Sequence, residues 1–216
     1  LGVRLASVGG GSLRNAIPRE AFGTLVLSEA NVADFMALTE EITETVKSEL
    51  SATEPDLKVT VEETSLPSVI MDEKILTALT KAVIACPNGV IRMSDSMEGL
   101  VETSTNLAVL KSDPDKLSVT GACLMRSSVD SAKEELASRI QAVFELAGGR
   151  VTFSGSYPGW KPNRNSPILK TMQQVYQKEF GTIPEIKAIH AGLECGILGG
   201  KYPEWDMISL GPTMRF

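Results

Sequence analysis

Val101 to Leu110 reads VETSTNLAVL, and Leu117 to Leu124 reads LSVTGACL. Both runs are rich in β-branched and apolar residues, and Ser112-Asp113-Pro114-Asp115 lies between them. Aspartate and serine bond to nearby backbone, and proline presets its own φ, so this linker favours a turn and the pair an antiparallel hairpin. Residues 1 to 8 (LGVRLASV) alternate apolar and polar side chains until Gly9-Gly10-Gly11 stops them, and residues 21 to 28 (AFGTLVLS) resume the alternation. Both read as strands with one buried face. Leu57 to Glu63 (LKVTVEE) reads as a further half-exposed strand, and Val151 to Ser154 as a short one.

Helical spacing lies between these runs. From Asn31 to Leu50, the residues Val32, Phe35, Met36, Leu38, Ile42, Val46 and Leu50 recur mostly at three- and four-residue intervals, with acids opposite. Asp72 to Cys86 shows the same period and is closed by Pro87-Asn88-Gly89. Ser131 with Glu134 three residues on has capping-box spacing and opens a helix that Gly148-Gly149 ends. The first 150 or so residues therefore read as α+β, with helices on a largely antiparallel sheet.

Tyr157-Pro158-Gly159-Trp160-Lys161-Pro162-Asn163 interrupts regular structure and marks a domain boundary. Beyond it, a helix from Ser166 to Phe180, a strand around Ile186 to Ile189, a turn or helix from Ala191 to Leu198 and a strand from Asp206 to Leu210 make a small α/β piece. That piece is too short to hold a good core alone.

The 216 residues are 43% hydrophobic and 22% charged, the balance of an ordinary globular protein. With 27 acidic and 21 basic side chains, the net charge of -6 opposes a nucleic-acid backbone. No apolar run reaches the roughly 18 residues that would span a bilayer, and the amino terminus lacks a signal-peptide pattern. The expectation is a cytosolic parent protein with neither nucleic acid nor membrane as partner. Cys86, Cys123 and Cys195 are odd in number and widely spaced, which reads as buried thiols.

The most chemical-looking segment is His190-Ala191-Gly192-Leu193-Glu194-Cys195-Gly196. It holds the single histidine, and its glycines let backbone N-H groups approach a ligand. A tight strand-to-helix turn explains the same residues. One histidine cannot supply the three ligands a catalytic zinc usually takes, and no Gly-x-Ser-x-Gly elbow occurs. Gly9-Gly10-Gly11-Ser12 lacks the ending of a phosphate loop. Arg14-Asn15 and Arg126 are polar outliers in segments that otherwise want burial; an arginine fork suits a carboxylate, and a structural ion pair or solvated strand end suits it as well.

Leu13-Arg14-Asn15-Ala16-Ile17-Pro18-Arg19-Glu20, Pro87-Asn88-Gly89-Val90-Ile91-Arg92, Tyr157-Pro158-Gly159-Trp160, His190 through Gly196 and Ser209-Leu210-Gly211-Pro212-Thr213 together resemble the bacterial Xaa-His dipeptidases, or aminoacyl-histidine dipeptidases. The resemblance covers essentially the whole chain. It implies a di-zinc metallopeptidase whose catalytic α/β domain is interrupted by a lid. Residues 1 to 152 would be most of that lid, which could also pair two subunits as a homodimer, and 153 to 216 part of the carboxyl-terminal catalytic domain. It also implies that most metal ligands and all catalytic residues lie outside this sequence, so that the isolated chain is inactive and without its zinc. What carries over is substrate binding of a dipeptide. Arg126 would grip the free carboxylate, Asn15 the polarised carbonyl, and the Gly192 backbone the substrate, with His190 and Glu194 as loop supports. The contrasting expectation is a non-catalytic peptide-binding or oligomerisation module.

Overall fold

A computed structural model describes residues 1–161, 163–188 and 193–211. The hairpin is the spine of the fold: β4 (Val101–Asp113) and β5 (Ser118–Ser127) pair antiparallel from Thr103↔Ser127 to Asp113↔Ser118, with a bulge between Leu107 and Val109. Each strand runs beyond its expected end. The other edge of β4 is shared by two strands. β3 (Gly89–Met93) pairs with its first half and β1 (Arg4–Gly10) with Leu110 and Lys111. β2 (Ala21–Val26) continues the sheet antiparallel to β1. The short β1–β4 ladder is reinforced by the Ser112 hydroxyl, which accepts from the Val8 N–H at 2.9 Å and donates to the Val8 carbonyl at 3.0 Å.

Helices α2 (Glu73–Ala85) and α3 (Asp130–Leu146) cover one face of this sheet. The Asp72 carboxylate caps α2 by accepting from the Lys74 and Ile75 N–H groups. Leu136 and Ile140 of α3 and Ala82 of α2 are buried, as is Ala108 at the bulge. Gly148, at φ 82°, ends α3 with the Gly149 N–H on the Phe144 carbonyl, as the glycine pair leads one to expect. The architecture is α+β, helices on an open antiparallel sheet, as the alternating patterns imply.

Several sequence expectations are corrected. Residues 57–63 and 151–154 alternate but form no strand. Alternation favours an extended chain, and a strand also needs a neighbour's backbone groups. No strand pairs with these segments among the described residues. β3 escaped the reading because Pro87-Asn88-Gly89 looked only like a helix stop. In the structure the Asn88 side chain accepts from the Leu107 N–H at 2.8 Å and launches the next strand along β4. Helix α3 begins at Asp130, so Ser131 lies inside its first turn and is not the cap.

After the boundary segment come α4 (Pro167–Phe180), with Ser166 as N-cap and Gly181 in the left-handed region as C-cap, and α5 (Leu193–Lys201). These helices represent the α/β piece among the described residues. Residues 186–188 and 206–210 form no strand there, and Ile189 lies outside the described residues. The latter segment is held differently: the Asp206 carboxylate accepts from the Ser166 hydroxyl and the Ile168 N–H, both at 2.9 Å, at the start of α4.

The boundary segment docks on the start of α3. The Asp130 carboxylate accepts from the Gly159 N–H and from the Lys133 ammonium, both at 2.9 Å, and Lys133 also donates to the Tyr157 carbonyl. The Lys133 hydrogen bond, then the Gly159 N–H, holds the Asp130 carboxyl below its ordinary 3.8, against a smaller opposing effect of burial. A depressed carboxylate contributes stability above its unfolded pKa and loses it as pH falls through the folded one. The Gly159 amide resonance should therefore titrate below pH 3.8, and Asp130→Asn should abolish that titration. An amide shift that stays flat through this window would show that the clamp is not formed in solution.

Candidate functional site

Arg126 lies on β5 and Asn15 in the loop between β1 and β2. Side chains alternate along paired strands, so Arg126 shares a face with Ser104 opposite it and with the next pair on that side, Leu124 and Asn106. Cys123 and Met125 point to the other face, where Cys123 meets Cys86 at the end of α2. Arg126 therefore stands on the face away from α2. The Asn106 amide donates to the Ala16 carbonyl at 2.7 Å, fastening the loop beside Asn15 to that face. Diagonal neighbours on paired strands are roughly 7–8 Å apart. One strand pair thus carries the arginine and anchors the backbone next to the asparagine, 111 positions earlier in the chain (126 minus 15).

Arg126 is half-buried, and among the described residues its guanidinium makes no ion pair. Asn15 is exposed. Glu194 is exposed in the first turn of α5, where a carboxylate favourably faces the helix dipole. Leu193 just before it has φ 48°, an uncommon value for a residue with a side chain, which marks a tight entry into α5. His190 and Gly192 lie outside the described residues. Asn106 was missed in the sequence, although an asparagine in the middle of a strand-forming run is a polar outlier of the kind that flagged Arg126.

Two contacts tie α5 to the boundary segment. A Cβ on Gly196 would stand 2.7 Å from the Pro158 carbonyl, and one on Gly200 3.0 Å from the Pro158 ring. These glycines allow the backbones to approach, a packing role in keeping with the tight-turn alternative to ligand approach that the sequence leaves open for Gly196. Among the described residues no three His, Cys, Asp or Glu side chains are grouped to hold a metal ion. No helix among them is long and apolar enough to cross a membrane.

No family model matches the chain. Over 214 residues it is 39% identical to the cytosol non-specific dipeptidase of Escherichia coli K12, covering 99% of this chain and 44% of that protein. The crystal structure of aminoacylhistidine dipeptidase from Vibrio alginolyticus matches 100% of this chain and 44% of its own, with 44% identity and a TM-score of 0.93. The chain is homologous to these dipeptidases. It spans less than half the length of either homologue, and the resemblance in the loop, boundary and turn motifs is thereby extended to the whole described fold. The parts of the two homologues outside the match have no counterpart in these 216 residues.

Proposed function

We propose that this chain supplies the lid, residues 1–152, and a carboxyl-terminal part of the catalytic domain, 153–216, of a cytoplasmic zinc-dependent dipeptidase that hydrolyses Xaa-His and related dipeptides. The observation that carries this reading is the homology over 99% of the chain. Geometry adds a half-buried guanidinium without an ionic partner among the described residues, on the strand pair that anchors the Asn15 loop. A guanidinium in that setting suits a substrate carboxylate held by two parallel hydrogen bonds. Asn15 then donates to the scissile carbonyl oxygen as negative charge develops on it. Gly192 offers backbone to the substrate, and His190 and Glu194 support that loop.

Zinc would polarise the carbonyl and activate water in such an enzyme. The described residues offer no donor set for it, and the chain has one histidine. No step is therefore assigned to a metal, and this chain's own part is to bind, orient and cover the dipeptide. On this reading the isolated chain is inactive.

A chimera tests the proposal: these 216 residues replace the matching span of the Escherichia coli homologue, and hydrolysis of a Xaa-His dipeptide is measured. Turnover within about tenfold of that homologue is expected, the scale of one modest interaction. A folded, zinc-loaded chimera that does not hydrolyse the dipeptide overturns it.

A second reading is a non-catalytic association module, whose exposed surface meets further protein. The chain exposes 15960 Å², whereas a compact monomer of 23.2 kDa exposes roughly 9,700 Å². α1 (Val32–Glu49) has the expected helical period, but none of its residues is buried, and Val32, Met36, Leu38 and Ile42 are all exposed. Such a surface suits contact with further protein.

A further inference from the structure

Two of the three cysteines, far apart in sequence, meet beneath the sheet. The Cys86 and Cys123 sulfurs are 4.0 Å apart, within reach of an S–H···S hydrogen bond. Cys86 ends α2, and Cys123 lies on β5 opposite Leu107. The backbone on both sides is already fixed. Two residues after Cys86, the Asn88 side chain takes the N–H of that same Leu107, so the end of α2 is fastened to β4 next to the strand position of Cys123. Neither sulfur serves the proposed dipeptide site, since Cys123 points to the face opposite Arg126.

We infer that Cys86 and Cys123 form a reversible dithiol–disulfide pair, a modification site whose oxidant is hydrogen peroxide. The inference is independent of the dipeptidase reading. A disulfide needs the sulfurs at about 2.05 Å, so closure requires an approach of roughly 2 Å, which side-chain rotation at two anchored backbones can supply. The thiols are not equivalent. Cys86 is held below the ordinary thiol value by its hydrogen bond from Cys123, with burial opposing, while that same bond and burial push Cys123 up. Cys86 is accordingly the first nucleophile. Its thiolate attacks one peroxide oxygen, the O–O bond breaks, and the other oxygen leaves as water after taking the released proton. The resulting Cys86 sulfenic acid is attacked by Cys123 sulfur; the S–S bond forms, the S–O bond breaks, and hydroxide leaves with the Cys123 proton as water. Two thiols and one peroxide thus give one disulfide and two waters. The product ties the end of α2 to the strand that carries Arg126.

The test uses the unmodified 216-residue chain treated with hydrogen peroxide. Free thiols should fall from three per chain to one, a Cys86 peptide should appear linked to a Cys123 peptide with the loss of two hydrogens, and dithiothreitol should restore three. In Cys123→Ser, dimedone should trap the sulfenic acid on Cys86. Cys195 is the internal comparison. Retention of all three thiols, cross-linking that involves Cys195, or addition of oxygen to Cys86 and Cys123 without a link between them would each overturn the inference.

Discussion

Gly11→Ala should lower the unfolding free energy of the chain by about 3 kcal/mol, combining a left-handed-backbone penalty of about 1–2 kcal/mol with displacement of packed backbone. Gly11 has φ 70°, and a Cβ built on it would lie 1.8 Å from the Ala108 carbonyl oxygen and 3.0 Å from its carbon. Nothing flexible can yield there. Ala108 is fully buried at the β4 bulge, and immediately before Gly11 the β1–β4 ladder consists of Gly9↔Lys111 and Gly10↔Leu110. The alanine must therefore pull β1 from β4 or reshape the bulge. Urea unfolding would report a lower midpoint at unchanged slope. Gly121→Ala, whose Cβ would meet only ordinary contacts at 3.8 and 3.9 Å, is the control and should stay within about 0.5–1 kcal/mol of the parent. Equal midpoints for the two variants would mean that β1 is not seated on β4 in solution. Because Gly11 also opens the loop bearing Asn15, the same substitution should disturb the candidate site.

That glycine shows why some of the fold was legible and some was not. The run Gly9-Gly10-Gly11 reads as the stop of a strand after residue 8, yet β1 continues through Gly9 and Gly10, which pair with Lys111 and Leu110, and the ladder ends only before Gly11. The closeness of Gly11 to Ala108 depends on a bulge 97 positions later (108 minus 11), and no local pattern encodes such an encounter. Helices α2 and α4 were readable because their limits are written locally, in Asp72 and Pro87 for one, and in Ser166 and Gly181 for the other. The strand readings at 57–63 and 206–210 failed because alternation records only the wish of a chain to be extended, whereas a strand is completed by its neighbour. At 206–210 the chain is instead held through Asp206, whose carboxylate accepts from the N-cap Ser166 hydroxyl and the Ile168 N–H of α4.

The site divides in the same way. Arg126 and Asn15 stood out as polar side chains in apolar or turn-forming surroundings, and the register then put Arg126 on the strand pair to which Asn106 fastens the Asn15 loop. Alternation also separates the roles of β5: odd-numbered Cys123 and Met125 turn toward the helices, and Leu124 and Arg126 turn away. A single slip of register would exchange those faces and put the guanidinium against α2. Homology to dipeptidases motivates what neither pattern nor packing supplies, the reaction class proposed above. The long ordered motifs made that resemblance readable, while the sequence spacing alone left a structural arginine and a substrate-binding one equally open.

The proposed substrate role of Arg126 makes a quantitative prediction for the chimera. Removing one partner of a carboxylate–guanidinium pair costs about 3–4 kcal/mol, so Arg126→Ala should lower kcat/KM for a Xaa-His dipeptide by roughly 10²–10³-fold. Arg126→Lys keeps the charge but loses the planar fork, and should recover part of that loss. The decisive comparison uses the same dipeptide with its terminal carboxylate converted to an amide. The unsubstituted chimera should lose most of its rate on the amide. Arg126→Ala should lose little more, because the two changes remove opposite ends of one interaction and their effects must not add. If Arg126 instead only braces β5, the penalty for alanine will be the same on acid and amide, the two losses will multiply, and the arginine belongs to the scaffold. Ordinary circular dichroism of the variant would confirm that the comparison is made on folded protein. Non-additivity between Arg126 and the carboxylate is thus the measurement that ties this strand face to the substrate.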